Sequence, residues 1–171
     1  SPRRIVTALQ GRCAYKSIAI LDLGCGTGLS CMALAKAGFT QIDGSEMIEM
    51  ARQLNGVYRC LTCVTRDDPF PFATDAYHLI IAIGVIADQH DPPQPIGQLL
   101  DKLGFNGLLI FSLNNHTLEN PCYMQACHDA VMHSVTCILE KDDGPHMVSY
   151  LCFKNPGFVN GQMSQTNCGG F

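Results

Sequence analysis

The sequence predicts a doubly wound α/β sheet, and three observations predict it. Apolar strand-like runs alternate with helix-periodic segments for most of the 171 residues. A glycine-rich turn joins the first apolar run to the first helix behind it. Two adjacent strand-like segments close the pattern, which predicts an antiparallel edge.

Residues 2–10 carry Ile5, Val6, Ala8 and Leu9 at helical spacing, with Gly11 as a stop. Residues 18–21 form a continuous apolar run ending at Asp22, as a central parallel strand requires. The glycine loop spans 24–28, and a helix over 29–37 closes at Gly38. A short second strand is expected over 40–43. Ser45 then reads as a helix N-cap, Glu46 as a first-turn acid, and Met47, Ile48, Met50, Ala51 and Leu54 as one helix face ending at Asn55-Gly56. The third strand is expected over 57–64, a Pro-rich loop over 67–73 and a buried fourth strand over 79–85. A helix over 94–103 stops at Gly104, the fifth strand follows over 108–113, and another helix covers 121–133. Residues 136–139 and 147–153 pair as a hairpin around Asp142-Asp143-Gly144. One domain over 1–155 is expected, followed by a disordered tail over 156–171, which is rich in Gly, Asn, Gln and Ser.

Composition narrows the function classes. The net charge is -4 and no Lys/Arg cluster exceeds Arg3-Arg4, which argues against a nucleic-acid phosphate footprint. The longest apolar stretch, 79–87, has the length of a buried strand and not of a membrane span. The ten cysteines lie scattered through apolar segments, and no apolar run follows Ser1-Pro2-Arg3-Arg4 as a signal peptide would need. They read as free thiols in a reduced compartment, giving a cytoplasmic location with the nucleus also open to it. The chain begins without Met and reads as a fragment or a processed product. A monomer is expected.

Cys60-Leu61-Thr62-Cys63 has zinc-like spacing, but no second pair follows at finger spacing, so two ordinary cysteines are the expectation. Cys122, Cys127, His128 and His133 share a helix without a common ligand face. No metal site is expected.

The chemistry concentrates in Ile20-Leu21-Asp22-Leu23-Gly24-Cys25-Gly26-Thr27-Gly28. Glycines here let the backbone turn tightly and let a ligand approach it, and the loop sits where open α/β sheets bind ligands. Asp43 follows the second strand, where an acid takes the ribose hydroxyls of a nucleoside cofactor. The spacing is Gly-x-Gly-x-Gly, so a dinucleotide fingerprint does not fit. No Gly-Lys-Ser/Thr follows, so a P-loop does not fit either.

The segment 22–28 resembles the first motif of class I S-adenosylmethionine-dependent methyltransferases. Ile42-Asp43-Gly44-Ser45-Glu46-Met47 is similar to the family's second-strand acid and following helix. Asp68-Pro69-Phe70-Pro71-Phe72 with Tyr77-His78-Leu79-Ile80-Ile81 is similar to its loop and fourth strand. Leu99-Leu100-Asp101-Lys102-Leu103 through Gly107-Leu108-Leu109-Ile110-Phe111 is similar to its next helix and fifth strand. The likeness covers about residues 2–154. It is nearest to the Williams-Beuren syndrome region methyltransferase-like proteins, through Gly38-Phe39-Thr40 and Ser112-Leu113-Asn114-Asn115.

The resemblance implies a Rossmann-like sheet of order 3-2-1-4-5-7-6, S-adenosylmethionine as methyl donor and S-adenosylhomocysteine as product. Asp22, Gly24, Cys25, Gly26, Thr27 and Gly28 would hold its methionine and sugar. Asp43 would bind the ribose, with Gly44, Ser45 and Met47 beside the adenosine. Thr65 and Arg66 would flank the adenine, and Ile83 and Gly84 would floor the pocket. Asp88 and His90, after the fourth strand, are candidates for the acceptor side, His90 being a natural base near neutral pH. Asn114 and Asn115 could line the same side. The acceptor would be a small molecule or a protein side chain. The chain departs from the family pattern in a shortened second-strand segment, in Thr65 where an acid is usual, in His78 where Asp is usual, and in Phe105-Asn106-Gly107 where Pro-Gly-Gly is usual. A fold relative that binds cofactor weakly or not at all, and serves as a partner or regulator, is the alternative reading.

Overall fold

The computed structural model describes residues 2–9, 15–46, 57–65, 68–86, 94–114, 117, 119–132, 135–141 and 148–154. The elements run α1 (Pro2–Leu9), β1 (Ile20–Leu23), α2 (Leu29–Lys36), β2 (Ile42–Glu46), β3 (Cys60–Cys63), β4 (Tyr77–Ala82), α3 (Gln94–Lys102), β5 (Leu103–Leu113), α4 (Pro121–Met132), β6 (Val135–Lys141) and β7 (Val148–Lys154). The predicted 156–171 tail lies outside the described residues.

One seven-stranded sheet has the order β3-β2-β1-β4-β5-β7-β6. The pairs from β3 through β5 are parallel. β7 runs antiparallel to both β5 and β6. The antiparallel strand is therefore not the edge, as the sequence had suggested. It sits one place in, and edge strand β6 runs in the same direction as β5.

The sheet separates two apolar layers, because successive side chains in a strand point to opposite faces. Leu21, Leu23, Ile80, Ala82, Leu109 and Phe111 face Ile96 and Leu99 of α3 and Tyr123 and Cys127 of α4. Ile20, Ile42, Leu79, Ile81, Leu108 and Ile110 face Ile5 and Leu9 of α1 and Cys31 and Leu34 of α2. Central strands buried on both faces explain the unbroken apolar runs that identified them.

Two local expectations are corrected. Ser45 and Glu46 do not start a helix; both belong to β2. Phe39 is buried, Thr40 N–H donates to the Lys16 carbonyl and Ile20 N–H donates to the Gln41 carbonyl. These contacts start β2 just past the α2 turn, so the strand continues to Glu46 before it clears the sheet. β5 begins at Leu103, five residues early, because Leu103 pairs with Tyr77 and Leu108 with Leu79. Residues 104–107 bulge out between these pairs, with Asn106 at φ 54°. Gly104 accordingly lies inside a strand and is not a helix stop.

Candidate functional site

The glycine loop leaves β1 with Gly24, Gly26 and Gly28 at φ 64°, 46° and 72°, a left-handed region that side chains disfavour. At Gly24 an added Cβ would also run into Val85. The loop is fixed from both sides. Cys25 N–H donates to the Ser45 carbonyl at 2.9 Å, and Gly28 N–H donates to the Cys25 carbonyl at 2.8 Å. Gly28 caps α2 with no side-chain hydrogen bond. Gly26 and Thr27 are exposed and Cys25 is buried. Opposite, Ile83 is half-buried, and exposed Gly84 sits at φ 74° with its N–H donated to Ser112 Oγ at 2.9 Å. The segments after β1 and after β4 thus pack together at the C-terminal end of the sheet, where α/β folds bind their ligands.

Two acids sit at different heights below this end. Asp22, in β1, is 2% exposed and accepts a hydrogen bond from Tyr58 Oη at 2.8 Å. Asp43 is 6% exposed and pairs in register with Leu21. Its two carboxylate oxygens accept from Arg59 Nε at 2.8 Å and Arg59 Nη2 at 2.5 Å, and Tyr77 Oη adds a third bond at 3.1 Å. Arg59 Nη1 also donates to Gln41 Oε1 at 3.0 Å. A fork-to-fork pair of this kind fills both oxygens. The carboxylate expected to meet a ribose is thus turned to its own sheet. Burial, then the charge of Asp43 and the bond to it, pushes the Tyr77 phenol well above its ordinary range. Burial, then the charge of Asp22, does the same to Tyr58, so both phenols act only as donors.

Ser45 pairs with Leu23, and Glu46 ends β2 one residue beyond the point where β1 turns into the glycine loop. Ser45 Oγ is fully buried and has no hydrogen-bond partner among the described residues. A buried hydroxyl left unsatisfied is costly, which sets Ser45 apart from the other described buried polar side chains.

Thr65 is exposed and its hydroxyl donates to Asp68, which brings a carboxylate to the loop after β3 despite the Thr at the expected acid position. Asn114 Oδ1 accepts from Thr117 N–H and Thr117 Oγ1, both at 2.8 Å, so it caps the turn after β5. Cys60 and Cys63 are exposed on edge strand β3. Three residues apart in a strand, they point to opposite faces about 10 Å apart, too far to share a metal or a disulfide. Among the described residues no metal-binding cluster occurs and no helix is long and apolar enough to cross a membrane. Cys25, Cys31, Cys60, Cys63, Cys122 and Cys127 are free thiols. Met47, Arg66, Asp88, His90 and Asn115 lie outside the described residues.

Sequence reasoning missed Tyr58, Arg59, Tyr77, Asp68, Val85 and Ser112. Tyr58-Arg59, a polar pair in an apolar strand candidate, was the available signal.

Known proteins agree with this architecture. Residues 15–155 match the family model described as a methyltransferase domain. Human methyltransferase-like protein 27 is 35% identical over 88 residues, which takes in 48% of this chain and 36% of that protein. The match therefore spans about a third of that relative's length. Magnesium protoporphyrin IX methyltransferase from Synechocystis PCC 6803, solved with bound S-adenosylmethionine, superposes with TM-score 0.66 at 16% identity, covering 90% of this chain and 78% of that one. The 4+2 cyclase SpnF superposes with TM-score 0.67 at 15% identity, covering 90% and 81%. Sheet order, glycine loop and family match converge: the chain belongs to the methyltransferase domain family, within the class I S-adenosylmethionine-dependent superfamily.

Proposed function

We propose that the chain is the cofactor-binding core of an S-adenosylmethionine-dependent methyltransferase acting on a small-molecule or protein nucleophile. The observation that carries this reading is the left-handed glycine loop at the end of β1, with exposed Gly26 and Thr27 and the unpartnered Ser45 hydroxyl beside it. These features fit the donor. The loop backbone of Gly24, Gly26 and Gly28 would hold its methionine and sugar, Ser45 and Met47 would border the adenosine, and Ile83 and Gly84 would floor the site. S-adenosylmethionine supplies a methyl group on a sulfonium sulfur, which a nucleophile takes by direct displacement. The protein's part is to align donor and acceptor and to exclude water.

For the ribose acid we propose Glu46 in place of Asp43. Glu46 stands at the height of the loop, whereas Asp43 lies three residues, roughly 10 Å, further down the strand. Near the adenine, Thr65 and Asp68 together would replace the usual acid, with Arg66 between them in sequence. On the acceptor side Asp88 and His90 follow β4 in sequence, and His90 would take up the acceptor's proton. A net charge of -4 disfavours nucleic acid as the acceptor.

A second reading, a fold relative without methyl transfer, is favoured by the closure of Asp43 onto Arg59 and Tyr77. The likeness to a cyclase is a reminder that this fold hosts other chemistry. Calorimetric titration of the protein with S-adenosylmethionine and S-adenosylhomocysteine tests the first reading. Micromolar binding of both is expected; absence of binding sinks it in favour of the second.

A further inference from the structure

β4 leaves its two neighbours at different heights. The β1–β4 ladder ends at Ile81 opposite Asp22, and the β4–β5 ladder ends at Ala82 opposite Phe111. Beyond these points β1 turns into the glycine loop, while β5 runs on beside β7 as far as Leu113. A side-chain bond reaches across where β4 and β5 part: the Gly84 N–H donates to Ser112 Oγ at 2.9 Å. Ser112 is 2% exposed and stands one position past Phe111 on β5. It therefore holds the chain two residues beyond the last rung of the β4–β5 ladder.

The residue held there is where the chain changes direction. Gly84 has φ 74°, and a Cβ on it would meet nothing within 4 Å, so the turn borders open space. Val85, the next residue, packs against the cluster on the α3 and α4 face that includes Leu23 and Ile86. A Cβ on Gly24 would run into its Cγ2. Val85 thus fills the space that the absent side chain of Gly24 leaves beside the glycine loop. Ser112, Gly84, Val85 and Gly24 form a line of contacts from β5 to the loop after β1. That line crosses the place where neighbouring strands β1 and β4 diverge, which is where open α/β sheets bind ligands.

We infer that Ser112 is a positioning residue for the donor site: its hydroxyl holds the Gly84 turn, the turn sets Val85 against Gly24, and this contact fixes the glycine loop relative to β4 before a ligand arrives. The inference rests on the cofactor reading above. Glycine takes positive and negative φ about equally, so Gly84 without its bond has other conformations open to it, and Val85 loses its fixed approach. A cleft already ordered before binding holds its ligand more tightly than one that must be ordered by it. The bond acts on the shape of the cleft and not on charge. It therefore serves the sulfonium donor and its neutral-sulfur product alike, through the β4 turn and not by touching either.

The test is calorimetric titration of wild type, Ser112→Ala, Ser112→Thr and Val85→Ala with S-adenosylmethionine and S-adenosylhomocysteine, with hydrogen exchange of the Gly84 amide followed by NMR in the same proteins. Ser112→Ala removes the acceptor and leaves the strand. It should speed Gly84 exchange and weaken both ligands, each about tenfold. Ser112→Thr keeps a hydroxyl and should restore the amide's protection and bring both affinities to within about threefold of wild type. Val85→Ala should weaken both ligands too, and joining it to Ser112→Ala should cost no more than the larger single loss, because the two act through one contact. Faster Gly84 exchange with unchanged affinity would overturn the positioning role, as would a threonine that protects the amide while affinity stays low. Losses that multiply in the double variant would overturn the path through Val85. If wild type binds neither ligand, the cofactor reading fails and this inference falls with it; if wild type binds both and Ser112→Ala binds them equally well, this inference alone falls.

Discussion

Tyr58 and Arg59 are neighbours in the chain, yet they serve acids on opposite faces of the sheet in opposite ways. Tyr58 gives Asp22 a neutral phenol, and Arg59 gives Asp43 a guanidinium. A phenol orients a carboxylate and leaves its charge in place. A guanidinium orients it and cancels the charge. The second also joins strands: Arg59 ties β2 to the segment entering β3, and Tyr77 ties β2 to β4. Two buried aspartates that look equally functional in the sequence are thus separated by what reaches them.

The sharpest way to break this comparison is Arg59→Ala. Asp43 would stay buried with Tyr77 as its remaining described partner, while Arg59 is itself 48% exposed and gives up little else. We expect a loss of about 2–3 kcal/mol in denaturant-melt stability, with donor affinity unchanged. A parallel fall in affinity would mean that Asp43 belongs to the ligand site after all. Next in size is Glu46→Gln against Asp43→Asn. The first should weaken S-adenosylmethionine about tenfold in calorimetry with the fold intact, and the second should cost stability while leaving affinity within about twofold. The opposite pattern would restore Asp43 as the ribose acid.

Gly44→Ala probes the other acid. The new Cβ meets mobile side-chain ends of Leu61 and Tyr58 and not backbone, so we expect about 1–2 kcal/mol of destabilisation by thermal melting. A variant as stable as wild type would show that Tyr58 can reach Asp22 by another route. The smallest effect is alkaline. Cys31 is buried with its pKa raised from 9.0 to about 12, so it stays protonated in the folded chain while the unfolded chain ionises. Stability from this group is complete below pH 9 and declines toward pH 12, with a slope of at most about 1.4 kcal/mol per pH unit. Cys31→Ala should flatten that decline in chemical melts run across this window; an unchanged slope would assign it to Tyr58 and Tyr77.

What the sequence made legible follows from which signals are local. The runs around Ile20, Ile80 and Ile110 are strands buried on both faces, and their composition announces it. The loop from Gly24 to Gly28 needs positive φ at three positions, and glycine at each is visible without a structure. The height of Asp43 was not legible. Strand register is a tertiary property, set here by buried Phe39 and by the Ile20 bond to Gln41, and it places Asp43 opposite Leu21. The path of Tyr58 was equally hidden, because Gly44 reads as a turn residue in sequence and is a passage only when β1 and β3 flank it. The Asp68 partner of Thr65 was hidden as well, because it depends on loop curvature that no periodicity encodes.

The position of β7 has a consequence for how the molecule is made. Among the described residues β6 pairs with the sheet only through β7, and β7 follows β6 in the chain. Until residues 148–154 are free, β5 presents a bare edge along Leu108 to Leu113 and β6 lacks its strand partner. A chain made from its N-terminus therefore passes through a stage in which five strands end on an open hydrogen-bonding edge, and β6 and β7 complete the sheet together. Stopping the chain short of β7 would remove two strands, not one, and would leave a nascent protein with an apolar strand seeking any partner nearby.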